Sequence, residues 1–325
     1  MKVIIPAAGL GSRLRPHTYT MPKALLPVAG KPIIGHILDQ VIYWGGDKIN
    51  IVVGHYGDQI EKYVSANYDV DVEFTVQERM LGLGHAVLTG LNQDDTQVLV
   101  ILGDTILDAD LKPVIKRGIT SIGVKAVSDP RKLGVVVVEE GRVRRLVEKP
   151  VNPPSNLAIV GVYYIRDGAL LSKAIAEIIE KDITVKGEFQ ITDALQRLID
   201  WGEPFETFPV EGWYDCGRPE TLLETNRFLF DHRPIASVKP DPKQGFVVQP
   251  SAVGKDTVIE RSIIGPYASI GEGSVIRDSV IRNCIIGDHV NITSMLLEDT
   301  IITHKVDVSG KFNKLNLGTS SRLEL

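Results

Sequence analysis

The distribution of hydrophobic positions divides the chain into two regions of different character. In the longer first region, short apolar runs such as residues 2–5 and 98–102 are typical of buried strands. Residues 33–42 carry apolar side chains at helical spacing after Pro32, which predicts a helix that ends before Gly45-Gly46. Because strands and helices alternate, the pattern predicts an α/β fold with a doubly wound, mostly parallel sheet.

After Arg233 the helical periodicity gives way to pairs of one aliphatic residue and one glycine. These pairs are Val253-Gly254, Ile264-Gly265, Ile270-Gly271 and Ile286-Gly287. Spacing near six residues with small or polar residues between is typical of a β-solenoid and resembles the hexapeptide repeats of left-handed β-helices. We therefore expect a first domain at 1–233, a linker at 234–245 and a short left-handed β-helix at 246–325. So short a solenoid leaves apolar surface to cover, which favours packing on the first domain or a homo-oligomer.

Composition narrows the classes of protein to consider. The chain has 325 residues, 43% of them hydrophobic, and a net charge of −5, with no basic run that would favour nucleic acid as a partner. Only two cysteines are present, so neither a disulfide framework nor a cysteine-rich zinc site is expected. With no long apolar segment or signal core, we expect a cytoplasmic protein without a membrane partner.

The loop after the first strand has the composition of an anion-binding site. Small residues let backbone N–H groups approach phosphate oxygens closely, and the residues concerned are Ala8, Gly9, Gly11 and Ser12. Arg13 offers a planar fork and Lys23 a mobile point charge for the same anion. The loop is neither a dinucleotide fingerprint nor a P-loop, and an ordinary strand-to-helix turn with surface cations is the alternative interpretation.

The segments Gly9-Leu10-Gly11-Ser12-Arg13-Leu14-Arg15-Pro16-His17-Thr18 and Pro22-Lys23-Ala24-Leu25-Leu26-Pro27-Val28 resemble motifs of the sugar-1-phosphate nucleotidylyltransferases. With the repeat tail, the resemblance favours the long-form glucose-1-phosphate thymidylyltransferases within that family. It implies a Rossmann-like nucleotidyltransferase fold whose loop holds a nucleoside triphosphate, with Arg13 and Lys23 on its phosphates as catalytic residues.

Two aspartates follow strands at the expected ligand-binding edge of the sheet. Asp104 ends the strongest central strand, and carboxyl ends of parallel strands face the ligand crevice. Leu102-Gly103-Asp104 and Trp213-Tyr214-Asp215-Cys216-Gly217 resemble family motifs, which implies that Asp104 and Asp215 bind Mg²⁺. Two hard oxygen donors suit this ion. Thr105 stands where the family often has Asn, and each aspartate could instead cap a turn.

The segment from Gln77 to Ala86 resembles the family element that reads the nucleobase. The resemblance places Gln77 and the backbone of Gly82 on the base, and an amide with a donor and an acceptor suits the imide edge of uracil or thymine. Gln77 therefore indicates a pyrimidine, unless it is a surface strand residue. His85 is expected only to begin the following helix and has no catalytic role.

Further motifs indicate where a sugar 1-phosphate would bind. Lys132-Leu133-Gly134-Val135-Val136 and Val147-Glu148-Lys149-Pro150 resemble family elements of the sugar-phosphate site. Glu148 can accept hydrogen bonds from sugar hydroxyls, Lys149 can neutralise the phosphate and Gly134 leaves room for the ring. Tyr163 is a possible sugar contact. The segment 187–194 resembles a supporting element and is more often structural.

These assignments predict nucleotidyl transfer to glucose 1-phosphate, with dTTP favoured and UTP as the alternative nucleotide, or with another hexose 1-phosphate. An anionic sugar phosphate needs no general base, so the site supplies positioning and charge neutralisation. Two other functions stay open. Acyl transfer by the β-helix would use a base such as His289 or His304, and a nucleotide-sugar sensor would keep the pocket without turnover.

Overall fold

The computed structural model describes residues 1–235, 237 and 245–311. Contacts divide the chain into two units, one of residues 1–26 and 31–225, the other of residues 27–30 and 226–325. Of the linker predicted at 234–245, residues 236 and 238–244 lie outside the described part, as do residues 312–325 of the predicted β-helix domain. Within the described part, every helix is too short or too polar to cross a membrane.

The first unit is built on a nine-stranded sheet. The strands up to β13 and the α-helices of the described part are β1 Lys2–Pro6, β2 Pro27–Val28, β3 Lys31–Pro32, α1 Ile33–Tyr43, β4 Lys48–Val53, α2 Gly57–Asn67, β5 Val72–Val76, α3 Leu83–Gly90, β6 Val98–Ile101, β7 Thr105–Asp108, α4 Lys112–Arg117, β8 Ser121–Ala126, β9 Gly134–Glu139, β10 Arg142–Glu148, β11 Leu157–Ile165, α5 Gly168–Glu180, α6 Ile191–Asp200, β12 Glu206–Pro209, β13 Gly212–Asp215 and α7 Pro219–His232. The strands of the nine-stranded sheet follow the order β10-β9-β11-β6-β1-β4-β5, with β8 joining β11 to β12.

The predicted α/β class is confirmed, and the sheet is mixed. Strands β6, β1, β4 and β5 are parallel neighbours, whereas β11 runs antiparallel to β6, β8 and β9. One antiparallel pair of the sheet is the β9–β10 hairpin. Its two connecting residues, Glu140 and Gly141, have φ values of 51° and 76°, which suits the tight turns that join antiparallel strands.

The carboxyl ends of the central strands bring the first loop and Asp104 together. Strand β1 pairs in parallel with β4 and β6, so Pro6 ends beside Val52. The N–H of Gly103 donates to the Pro6 carbonyl at 3.1 Å, which fixes Asp104 next to the loop that follows β1. The glycine loop and the first aspartate therefore lie at one edge of the sheet, as parallel-sheet geometry predicts.

Short strands of the second unit form three parallel sheets, consistent with the predicted left-handed β-helix. The strands are β14 Gly245–Val247, β15 Ala252–Val253, β16 Val258–Glu260, β17 Ser262–Ile264, β18 Ser269–Ile270, β19 Val275–Arg277, β20 Val280–Arg282, β21 Ile285–Ile286, β22 Asn291–Thr293, β23 Leu296–Glu298, β24 Ile301–Ile302 and β25 Asp307–Ser309.

Aliphatic ladders fill the interior of the second unit. Val253 pairs with Ile270, Ile270 with Ile286, and Ile286 with Ile302. Ile264 belongs to a different ladder, above Ile281. The irregular spacing of the aliphatic–glycine pairs in the sequence thus reflects pairs that lie on different faces of the solenoid.

The second unit also includes the tetrapeptide Pro27–Gly30 from early in the chain. The N–H of Ala29 donates to Oδ1 of Asn226 at 2.8 Å, and the N–H of Gly30 donates to Oγ of Ser269 at 2.8 Å. Val28 and Ala29 are buried. The chain therefore enters the second unit once before it reaches α7.

An apolar ladder faces outward on the sheet β14-β17-β20-β23. The register aligns Phe246 with Ile263, Ile263 with Val280, and Val280 with Leu296. Phe246 and Leu296 are 68% and 81% exposed. We call these four residues the outer ladder.

Candidate active site

The loop after β1 folds tightly around Gly11. Gly11 has φ 61°, and a Cβ there would lie 3.0 Å from Cγ2 of Thr18 and 3.1 Å from Cβ of Lys23. The Thr18 hydroxyl donates to the Gly11 carbonyl at 2.9 Å. The conformation and the close approach both favour glycine, and they place the Arg13 turn, Ser12–Leu14, next to Lys23.

A cavity of about 490 Å³ opens beside this loop. Seven of the residues assigned to nucleotide, metal or catalysis from sequence line it: Ala8, Gly9, Arg13, Lys23, Gln77, Gly82 and Asp104. Gly11 and Ser12 belong to the loop but not to this lining. We call this space the first cavity. Its cations, exposed backbone and apolar side chains suit a polyanion with an apolar ring, and two carboxylates, Asp104 and Glu188, also line it.

Lys23 and Asp104 form an ion pair at the base of the first cavity. Nζ of Lys23 lies 2.5 Å from Oδ2 of Asp104, although 81 residues separate them in the chain. The lysine side chain is 14% exposed and that of Asp104 36%. A charge-assisted contact of this kind holds the ammonium group at a defined place in the crevice.

Asp215 lies beside this pair because of the two-stranded sheet β7–β13. The register places Asp215 opposite Thr105, and the Cys216 N–H donates to the Asp104 carbonyl at 3.0 Å. Burial and the charge of Asp104 raise the pKa of the Asp215 carboxyl, although Lys23 and Arg13 oppose the shift. A bound cation beside these two carboxylates would stabilise the ionised form of Asp215.

A second cavity of about 220 Å³ contains the residues assigned to the sugar phosphate. Gly134, Glu148, Lys149, Tyr163 and Asp215 line it. Asp104 lines both cavities. The structure therefore brings together every site residue predicted from sequence, with Gly11 and Ser12 in the adjoining loop.

Glu148 is held by two partners within the second cavity. Strand pairing sets Glu148 opposite Gly134, and Lys149 Nζ lies 3.0 Å from Glu148 Oε1. The Thr192 hydroxyl donates to Glu148 Oε2 at 2.7 Å. Burial and the charge of Glu148 also raise the pKa of the Tyr163 hydroxyl. Sequence reasoning did not single out Thr192, although the segment 187–194 was expected to support this side of the site.

Gln77, in the lining of the first cavity, makes a contact that sequence reasoning did not anticipate. Nδ1 of His85 lies 3.0 Å from Nε2 of Gln77, which is only 4% exposed. Gly82, at the start of α3, has φ 108°, and a Cβ there would lie 2.6 Å from the Phe189 carbonyl oxygen. Gly82 therefore allows α3 to begin where its first turn reaches Gln77.

A mixed α/β sheet with a phosphate-type loop and paired carboxylates at its ligand edge is the arrangement of a nucleotide-binding transferase. The family described as Nucleotidyl transferase matches residues 2–232. The chain belongs to this family, and the resemblance to sugar-1-phosphate nucleotidylyltransferases drawn from its motifs is confirmed.

Named relatives match between 70% and 100% of the chain. A glucose-1-phosphate thymidylyltransferase of Streptomyces antibioticus is 34% identical over 100% of this chain and 99% of its own length. A UTP–glucose-1-phosphate uridylyltransferase of Haloferax volcanii is 32% identical over 70% of this chain and 96% of its own. The crystal structure of a UDP-glucose pyrophosphorylase with UDP-glucose superposes with a TM-score of 0.63 and 28% identity, covering 71% of this chain and 99% of the other.

Proposed function

We propose that this chain transfers a nucleotidyl group from a nucleoside triphosphate, with dTTP favoured, to glucose 1-phosphate and releases pyrophosphate. One observation carries the proposal: Asp104 lines both cavities, with Lys23 paired to it. A triphosphate in the first cavity and a sugar phosphate in the second would thus meet at this pair. The relative from Streptomyces antibioticus, which matches the whole chain, is named a glucose-1-phosphate thymidylyltransferase, and this supports the same substrate.

The reaction needs charge neutralisation more than proton transfer. An oxygen of the sugar phosphate forms a bond to the α-phosphorus, while the bond from that phosphorus to the bridging oxygen breaks and pyrophosphate leaves. The attacking oxygen is already anionic, so the electron pair it donates requires no base. Lys23 and Arg13 are proposed to offset the repulsion between the two anions and to stabilise charge on the α-phosphoryl group.

The carboxylates fit a divalent ion. Among the described residues no group of three or more His, Cys, Asp or Glu is arranged to hold a metal, so a site here has two protein carboxylates and would take its other ligands from substrate and water. Burial, and then the negative charge of Asp104, raise the pKa of the Asp215 carboxyl, so a bound cation would favour its ionised form. When bound, Mg²⁺ at Asp104 and Asp215 would supply charge neutralisation for the phosphates.

The sugar is proposed to lie against Gly134 and Glu148. Thr192 occupies one Glu148 oxygen and Lys149 lies at the other, so the carboxylate is fixed in place and remains able to accept bonds from sugar hydroxyls. Tyr163 closes the cavity from β11. Lys149 lies where it could shift from Glu148 to the incoming phosphate.

A matrix of nucleoside triphosphates against sugar 1-phosphates, read by pyrophosphate release, tests the proposal. We expect the highest kcat/KM for dTTP with glucose 1-phosphate, and a value for UTP that is lower by no more than about 200-fold, because one methyl group in an apolar pocket contributes about 1–3 kcal/mol. Other hexose 1-phosphates should be poorer acceptors. A clear preference for UTP would reassign the chain to uridylyl transfer.

Two alternative functions give distinct outcomes in the same experiment. Binding of nucleotide sugars without pyrophosphate release would identify a sensor. Transfer of an acetyl group from acetyl-CoA to glucosamine 1-phosphate would identify an acyltransferase. For His304, one of the two candidate bases, the structure shows two contacts with Asp288, and both use the ring nitrogen Nδ1. This nitrogen accepts from the Asp288 N–H at 2.8 Å and lies 3.1 Å from an Asp288 carboxylate oxygen.

Homo-oligomerisation remains a prediction, and we propose that a second copy of the chain covers the outer ladder. The pair Arg282–Glu298, two residues along from Val280 and Leu296 on the same strands, carries both signs of charge. A copy related by a two-fold axis could therefore offer complementary charges beside its own ladder. Replacing Phe246 and Leu296 by serine should lower the sedimentation coefficient, while the circular dichroism spectrum stays that of the wild type. An unchanged coefficient would exclude this surface.

A further inference from the structure

The side-chain amide of Gln77 makes two hydrogen bonds, and both use its nitrogen. Nε2 lies 3.2 Å from the Gly82 carbonyl oxygen and 3.0 Å from Nδ1 of His85. A carbonyl oxygen can only accept, so the amide atom that faces Gly82 is the nitrogen. Both amide hydrogens are then engaged, and no residue in the described part of the chain donates to Oε1.

The same contacts determine the state of the His85 ring. Because the amide nitrogen donates, Nδ1 of His85 must accept, and a neutral imidazole that accepts at Nδ1 carries its hydrogen on Nε2. His85 lies in the first turn of α3, and Gln77 directly follows β5, where its own N–H donates to Val53 at 2.8 Å. The backbone thus fixes both partners of the pair.

We propose that His85 is a positioning residue that determines which nucleobases this chain accepts. The inference rests on the proposed function, since it matters only if the first cavity holds a nucleoside triphosphate. With its nitrogen committed to Gly82 and His85, Gln77 presents Oε1 to the cavity as an acceptor. The N3–H of uracil or thymine donates to such an atom, whereas N3 of cytosine carries a lone pair and opposes it.

The backbone of Gly82 completes the match to an imide. Its carbonyl already accepts from Gln77 and from the Ala86 N–H at 3.1 Å, so that oxygen is occupied. Its N–H makes no hydrogen bond within the described residues and can donate to a base carbonyl. An acceptor at Gln77 and a donor at Gly82 together suit the N3–H and an adjacent carbonyl of uracil or thymine.

Two variants of His85 separate this role from simple packing. Asparagine places an amide oxygen near the position of Nδ1 and keeps an acceptor for Gln77. Leucine has a similar size and shape but no acceptor, so the Gln77 amide loses one of the two contacts that hold its nitrogen and keeps only the longer one, to the Gly82 carbonyl. Its nitrogen then turns toward the cavity more often than in the wild type. Steady-state kinetics with UTP, dTTP and CTP at saturating glucose 1-phosphate then compares the two variants with the wild type.

We expect His85→Leu to raise KM for UTP and dTTP about 3- to 10-fold with kcat little changed, as loss of one hydrogen bond would. CTP should be unaffected or improved, so the ratio of kcat/KM for UTP to that for CTP falls. His85→Asn should keep the wild-type ratio within about twofold. A wild-type ratio in the leucine variant, or an equal fall in both variants, would overturn the proposal.

Two measurements test the inference without relying on turnover or on the folding of a variant. Calorimetric titration with UTP and with CTP, without sugar phosphate, tests base preference even if the proposed reaction does not occur. The ¹⁵N shifts of the His85 ring in the unaltered protein report the tautomer directly. A hydrogen on Nδ1 would contradict the assignment, and a hydrogen on Nε2 supports it.

Discussion

Replacing Asp104 by asparagine is expected to lower kcat/KM for pyrophosphate release by at least about 100-fold, the scale of losing a principal electrostatic group in an active site. Asp104 is the charged residue among the three that line both cavities, the others being Leu83 and Leu102, and it lies beside Lys23 and Asp215. The substitution keeps the shape of the side chain and removes its charge. Its effect should therefore fall on catalysis and on the Mg²⁺ dependence of the rate, while the melting temperature stays near that of the wild type.

Asp108→Asn is the matched control for this experiment. Asp108 ends the short strand β7, which begins directly after Asp104, but Asp108 is exposed and lines neither cavity. It should retain wild-type kinetics. Asp215→Asn should behave like Asp104→Asn, with a weaker apparent affinity for Mg²⁺. Wild-type turnover in a folded Asp104→Asn protein would remove this residue from the proposed mechanism.

The second large effect is expected for Lys23→Met, which keeps the apolar stem and removes the ammonium group. Without it, the α-phosphoryl charge loses a cation that the structure places within the first cavity, and kcat should fall by about 100- to 1000-fold. The variant also leaves the Asp104 carboxylate without its ion-pair partner. We expect the remaining activity to show a higher apparent affinity for Mg²⁺, so that half of the maximal rate is reached at a lower Mg²⁺ concentration. This is measured as rate against Mg²⁺ concentration.

Lys112→Met provides the comparison for the lysine. Lys112 is exposed at the start of α4, with Nζ 3.5 Å from the centre of the Tyr43 ring, and it lines neither cavity. It should keep full activity. If Lys23→Met is folded and turns over like Lys112→Met, the ammonium group of Lys23 has no part in the chemistry.

The parallel half of the sheet was predictable because hydrophobic runs and crossover helices alternate there with clear period. The antiparallel half depends on β11, which pairs with three strands over nine residues and whose partners come from different parts of the chain. Long-range pairing of this kind leaves no local pattern in the sequence. The turn at Glu140-Gly141 is a local sign of antiparallel structure, but the hydrophobic pattern alone did not reveal it.

The site shows the same division between local and long-range information. Motif residues such as Arg13, Asp104 and Gln77 were identifiable because their neighbours in the sequence carry a recognisable pattern. Thr192 and His85 act through other side chains, and their importance depends on rotamers and distances. The Thr192–Glu148 contact joins residues 44 apart, so a single sequence offers no spacing rule from which to infer it.

Because the tetrapeptide Pro27–Gly30 belongs to the second unit, truncating the chain at one position cannot separate the two units. A stop codon after residue 233 would remove Ser269, the acceptor for the Gly30 N–H, and with it the strands that pack on this tetrapeptide. The buried side chains of Val28 and Ala29 would then be exposed to solvent, in a segment that begins only four residues after Lys23. Engineers who wish to graft the catalytic portion onto another scaffold would need to redesign that stretch as well as choose an endpoint.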